Sequence, residues 1–307
     1  MQPRTGTTNF GPVWFIFIVG SLEFAWAYWS GYQFIMSASI YAGVALLLAV
    51  SFAYGVSGRS QAISDMAYYG ALWVMLTVVG VIFTYLAASL RLPLLDADFA
   101  KMDALLGFRW LEWYTYVREH PIINVTLLIA YATGLLQICF SIFYFAHTGK
   151  RDRNNELWWA SIISLLITSI LSGIFPALGA YHYNNAGLSN GVHLPDLLAL
   201  RDGKITTFLV HEMQGIITLP SYHTVLGILF IYAFRGLGVW FGVSCVVNIM
   251  MLISTPSHGG HYLVDMIAGG LVAVGAIYFV RGAKKYFAGT ENNPLKTTEH
   301  ISQPSTT

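Results

Sequence analysis

The chain has 307 residues, 56% of them hydrophobic, 15% aromatic and only 10% charged. Soluble domains carry roughly 25% charged side chains, and so sparse a polar cover would leave large apolar patches in water. With 16 Lys and Arg against 15 Asp and Glu the net charge is +1. That excludes the basic field of a nucleic-acid binder, and the composition reads as an integral membrane protein.

Met1 to Phe10 is polar with one cation, Arg4, and no small-residue cleavage site follows the first apolar run. That run is expected to stay as a membrane helix rather than leave as a signal peptide. Crossing the hydrocarbon core takes about 20 mostly apolar residues. Such runs occur near 12–30, 36–56, 66–90, 122–146, 157–181, 217–235, 238–255 and 260–281. The pattern predicts an all-α polytopic bundle of about eight transmembrane helices. A β-barrel needs short alternating segments, and the stretch Tyr41 to Tyr54 does not alternate. Glu23, inside the first span, has no visible partner and is read as packing. Cys139 and Cys245 sit in apolar runs and offer neither a disulfide nor a zinc pattern.

Three connections carry the polar residues. Arg91 to Pro121 mixes charges with Trp110, Trp113, Tyr114 and Tyr116, which suits short interfacial helices or an aromatic belt. Thr148 to Glu156 holds Lys150, Arg151 and Arg153, with Trp158 and Trp159 beside it as expected interface anchors. His182 to Leu219 is the longest polar insertion; its His182, His193 and His211 are read as interfacial hydrogen-bonding residues. Short loops rich in Lys and Arg mark the cytoplasmic side. Arg4, Arg59, the 148–156 loop, Arg235 and the Arg281, Lys284 and Lys285 cluster all fall on one face, so both termini are expected in the cytoplasm. The expected division is a helix pair at 1–65, a six-helix core at 66–283 and a disordered tail at 284–307, whose last residues are Thr- and Ser-rich.

Two segments on the opposite, extracytoplasmic face stand out. One is Leu219-Pro220-Ser221-Tyr222-His223, and the other runs from Ser254 through Gly259-Gly260-His261 to Asp265. His261 and Asp265 are four apart and share a helix face. An acid in a membrane span needs a partner, and this one would fix the tautomer of the ring. An inward and outward pass between His223 and His261 returns the chain to its starting depth, so the two rings can meet. Pro220 and the glycine pair each precede a helix start, so two helix N-termini are expected to offer free N–H groups to an anion such as phosphate.

With these residues in view, Pro220-Ser221-Tyr222-His223 resembles the second signature of the type 2 phosphatidic acid phosphatase superfamily. His261-Tyr262-Leu263-Val264-Asp265 is similar to the His-x-x-x-Asp half of its third. Tyr222 before His223, the Gly-Gly-His-Tyr run and the segments 105–110 and 197–203 look closest to the inositolphosphotransferase (inositol phosphorylceramide synthase) branch and its bacterial relatives. The resemblance covers roughly 66–281. It implies His261 as a nucleophile forming a phosphohistidine, Asp265 as the residue orienting it, His223 as general acid and Ser221 as a phosphate contact. It also implies a lipid phosphate substrate in the bilayer, and no metal or other cofactor.

This chain departs from the family pattern in two places. Thr255 stands where the third signature has an Arg, and the first signature's Lys and Arg-Pro are not visible. Arg201 and Lys204 are the expected substitute phosphate clamps, with His258 a weaker one and Arg109 and Arg118 on the same face. The reading is a plasma (inner) membrane phosphatase or phosphotransferase. The competing readings are a metal-dependent hydroxylase using His223, His258, His261 and Asp265, and a non-catalytic carrier with Asp265 and Glu23 as coupling acids.

Overall fold

A computed structural model describes residues 11–186 and 194–291. Arg4, His193 and the tail beyond Glu291 lie outside the described residues. The first apolar run forms α1 (Gly11–Ser30), ended by Gly31 at φ +74°, and the second forms α2 (Ala38–Ser57), closed by Gly58 in the left-handed region. Ser60 then caps α3 (Gln61–Ala88), its side chain accepting from Ile63 N. The expected division at 65/66 therefore falls inside α3.

The aromatic connection forms two short helices, α4 (Asp96–Leu105) and α5 (Trp110–Glu119). Pro121, tolerated at a helix start because its missing N–H would have no partner there, opens α6 (Pro121–Ala132). Its continuation α7 (Gly134–His147) is bent by 47° at Thr133. Next come α8 (Arg151–Ile174), a single turn α9 (Ala180–Tyr183) and α10 (Leu194–Arg201). The last three helices are α11 (Tyr222–Ala233), α12 (Val239–Gly259) and α13 (Leu263–Glu291). α13 runs past 284, where the tail was expected to begin.

Among the described residues six helices are long and apolar enough to cross a membrane, and the bent α6–α7 pair makes a seventh candidate. The expected span at 217–235 shortens to the 12 residues of α11, which rise only about 18 Å. The reason lies in the backbone just before it. The Thr218 carbonyl accepts from His261 and the Ser221 N–H donates to the Asp265 carbonyl, so neither group makes a helix bond. α11 still joins the two ends of the bundle, because the Ala233 and Arg235 carbonyls accept from Arg153 at the far end.

The core is built on α3 and α8, held close by small residues. A Cβ on Gly80 would meet Leu165 at 2.2 Å, and one on Gly173 would meet Ala87 at 3.0 Å. Trp158 belongs here rather than at the interface: it is fully buried and donates to the Leu72 carbonyl at 3.1 Å. Outside this core α2 buries only Ser51, and side chains such as Phe24, Trp29 and Phe52 are exposed, as lipid-facing apolar surface should be. Glu23 is buried, and its Oε1 has no hydrogen-bond partner.

A short strand pair interrupts the helical pattern. β1 (Gln33–Ile35) pairs in parallel with β2 (Thr207–Leu209), and Val210 N donates to the Ile35 carbonyl at 3.0 Å. This pair ties the α1–α2 connection to the long polar insertion.

Candidate active site

His261 occupies the break between α12 and α13, and Asp265 the first turn of α13. Both are buried. His261 Nδ1 lies 2.8 Å from the Thr218 carbonyl and 3.3 Å from Asp265 Oδ2. A carbonyl can only accept, so Nδ1 carries the proton and the lone pair sits on Nε2. Asp265 Oδ2 also accepts from Tyr262 N at 2.8 Å, which pins the carboxylate beside the ring.

The second segment is locked to the first through the main chain. Ser221 N donates to the Asp265 carbonyl at 2.9 Å. The contact is possible because Gly269, one turn along α13, has no side chain: a Cβ there would meet the Ser221 carbonyl at 2.5 Å. His223 follows in the first turn of α11, its ring stacked on Tyr131 with centroids 4.3 Å apart and its Nδ1 3.4 Å from the Tyr131 hydroxyl. His223, His261, Tyr131, Tyr222 and Gly259 line one cavity of about 600 Å³. The two histidines that the sequence pairs therefore open into the same space. Its remaining walls are largely apolar and come from α3, including Trp73, Leu76 and Val81, and from residues such as Ile138, Leu165, Ile217 and Leu226.

The helix N-termini behave differently from expectation. At α13 the N–H groups of Leu263 and Val264 are taken by Asp103, at 2.8 and 3.0 Å, and that of Tyr262 by Asp265. Two carboxylates thus stand where an anion was expected. Ser221 is fully buried and caps α11, its Oγ accepting from Thr224 N at 3.4 Å. A third acid, Asp96, accepts from Leu178 N, Gly179 N and the Tyr262 hydroxyl, fixing the 177–181 turn against the break between α12 and α13. In that turn Ala180 N donates to the Gly260 carbonyl, and Tyr181 OH donates to that of Ser257.

The expected cations are spread out. Arg201 donates to the Leu92 carbonyl at 2.7 Å, Lys204 pairs with Asp202 at 2.6 Å, and Arg109 pairs with Glu112 at 2.8 Å. None of the three lines the cavity. Arg118 sits over the Tyr114 ring at 5.1 Å. Burial pushes the Tyr181 phenol up, and the Arg118 charge opposes that rise, so this cation acts on a residue bonded to the end of α12. His258 is held by Ser257 and by Asn124, at 3.1 and 3.2 Å. Among the described residues no group of three or more His, Cys, Asp or Glu is placed to hold a metal ion.

Sequence reasoning missed Tyr131, Thr218, Asp96 and Asp103. Thr218 contributes only a carbonyl, which any residue could supply, and Tyr131 sits in an apolar run with no motif around it. His211, read as an interfacial residue, reaches the wall of the cavity.

Compared with known proteins, the chain matches a family model described as PAP2 superfamily over residues 97–279. The match takes in more than half of the chain, from α4 into α13. Both cavity histidines and Asp265 fall inside it, whereas α1 to α3 precede it. Neither the curated proteins nor the solved structures contain a match.

Proposed function

We propose that this chain, which belongs to the PAP2 superfamily, cleaves a lipid-linked phosphoester through a phosphohistidine on His261. Membership supports a phosphatase-type lipid phosphoesterase. The finer reading is carried by one observation: the Thr218 carbonyl and Asp265 hold the proton of His261 on Nδ1, leaving Nε2 basic on a ring that shares a cavity with His223.

In the first half-reaction Nε2 attacks phosphorus. The P–N bond forms as the P–O bond to the lipid breaks, and His223 gives its proton to the departing oxygen. In the second half, water or an alcohol gives a proton to His223 and attacks phosphorus. The P–N electron pair returns to Nε2. Asp265 acts throughout by orienting the ring and stabilising its positive charge. An alcohol acceptor would make the protein inositolphosphotransferase-like, and water would make it a phosphatase. On the positive-inside argument the reaction takes place at the extracytoplasmic face.

The test is to incubate the purified protein with phosphatidic acid and related lipids labelled in the phosphate, then quench in alkali, where phosphohistidine survives. Label is expected on the peptide containing His261 and absent from His261→Ala. Full phosphate release by His261→Ala would overturn the reading. Adding a polyol to the labelled enzyme and following the label into product separates transfer from hydrolysis.

A further inference from the structure

The helices that precede the matched family segment enclose a second apolar space. A groove of about 650 Å³ lies between α1, α2 and α3, with Gly20, Phe24, Val44, Ala45 and Val79 among its walls. Ile40 and Val78 line this groove and also the catalytic cavity. Both are half-buried, so the two spaces meet across a shared wall. The β1–β2 pairing fixes this junction. It ties the strand leading into Met36 and Ile40 to the segment whose next residues, Val210 and His211, also line the cavity.

We infer that the α1–α2–α3 groove is the binding site for a hydrocarbon tail of the substrate, leading from the lipid-facing side of the helix pair to the two histidines. The inference rests on the phosphoesterase reading above, and it assigns the N-terminal helices a role in choosing long-chain substrates. Three features favour a tail as occupant. The groove walls are almost wholly apolar; it opens among exposed apolar side chains such as Phe17 and Phe24; and it adjoins the space where phosphorus would react. Each methylene moved from water into such a groove gains about 0.8 kcal/mol, so a tail is a ready source of selectivity.

Filling the groove tests this. Gly20→Phe suits the purpose because a Cβ at Gly20 meets no atom within 4 Å, and Ala45→Phe fills the facing wall. Displacing two buried methylenes should lower kcat/KM for dioleoyl phosphatidic acid about tenfold relative to the dihexanoyl lipid. Leu46→Phe, on an exposed part of α2 outside the groove, should leave that ratio unchanged. An unchanged ratio in both groove variants would overturn the inference.

A binding measurement separates tail recognition from catalysis. Phosphatidic acid with a diazirine on its acyl chain is photolysed with His261→Ala protein in phosphatidylcholine vesicles. Label on α1 and α2 is expected, displaced by excess phosphatidic acid and weakened in Gly20→Phe. Label absent from these helices, or displaced equally by added phosphatidylcholine, would overturn the inference whatever the outcome of the phosphohistidine experiment.

Discussion

Burial in the break between α12 and α13 pushes the His261 imidazole down to about 4, against which the Thr218 carbonyl works by accepting its N–H. The free base is therefore retained well below the pH at which an ordinary histidine is protonated. The groups facing it are Asp265 on α13 and His223 on α11. Folding disfavours the protonated ring, so its contribution to stability is complete above the ordinary histidine value and is lost as pH falls toward 4. The acid limb of kcat/KM, which reports the free enzyme's base, is expected near pH 4 to 5; a limb near 6.5 would show that the nucleophile is not this buried ring. Tyr131 supports the other histidine mainly by stacking, since its 3.4 Å hydroxyl contact is long. Tyr131→Phe should keep activity within about threefold, while Tyr131→Ala, which removes a ring contact of about 1 kcal/mol and opens space beside His223, should lose roughly tenfold or more. Steady-state kinetics on a lipid phosphate would distinguish the two. Asp265→Asn keeps the shape of the side chain and removes its charge, and should cost about a hundredfold or more in kcat.

Helix packing places these side chains, and two contacts beside the site show how. Gly269 lets α13 lie directly on the Ser221 backbone. Gly269→Val should push α11 away, costing about 1–3 kcal/mol as overpacking does and lowering activity with it; thermal unfolding in detergent reads the first and turnover the second. Asp103 caps α13 from α4 through two backbone N–H groups. Asp103→Ala should cost about 1–2 kcal/mol as other cap losses do, whereas Asp98→Ala on the exposed side of the same helix should change stability by no more than about 0.5 kcal/mol. The spans were legible in the sequence because about 20 apolar residues in a row have few other uses. That His223 and His261 open into one cavity was legible, because an inward and outward pass of the chain returns it to its starting depth. The acids of the aromatic connection were not: Asp96 and Asp103 look like ordinary interfacial charges, and only the fold shows them capping turns 80 or more residues away in the chain. The shortening at 217–221 was equally hidden, since the apolar run continues through residues whose backbone is committed elsewhere.

At the scale of the whole molecule, the ion pairs at the start of α8 and the two cavity histidines occupy opposite ends. Arg235 pairs with Glu156, Lys284 with Asp152 and Arg151 with Asp65, so three of the expected cytoplasmic cations meet around the start of α8. Phe15, near the start of α1, packs on Trp159 beside the same cluster. The described chain thus begins at the end of the bundle to which α13 returns. α11, short as it is, then counts as a crossing, and His223 and His261 lie at the end away from these ion pairs. Lys and Arg near span ends favour the cytoplasmic side, so the cavity should open to the outside. In protein with Cys139 and Cys245 replaced by Ala, a cysteine at Asp202 should react with a membrane-impermeant maleimide on intact cells. One at Asp152, an exposed position whose ion pair contributes little, should react only after the cells are opened. The reverse pattern would put the reaction in the cytoplasm and require the lipid phosphate to be presented from the inner leaflet.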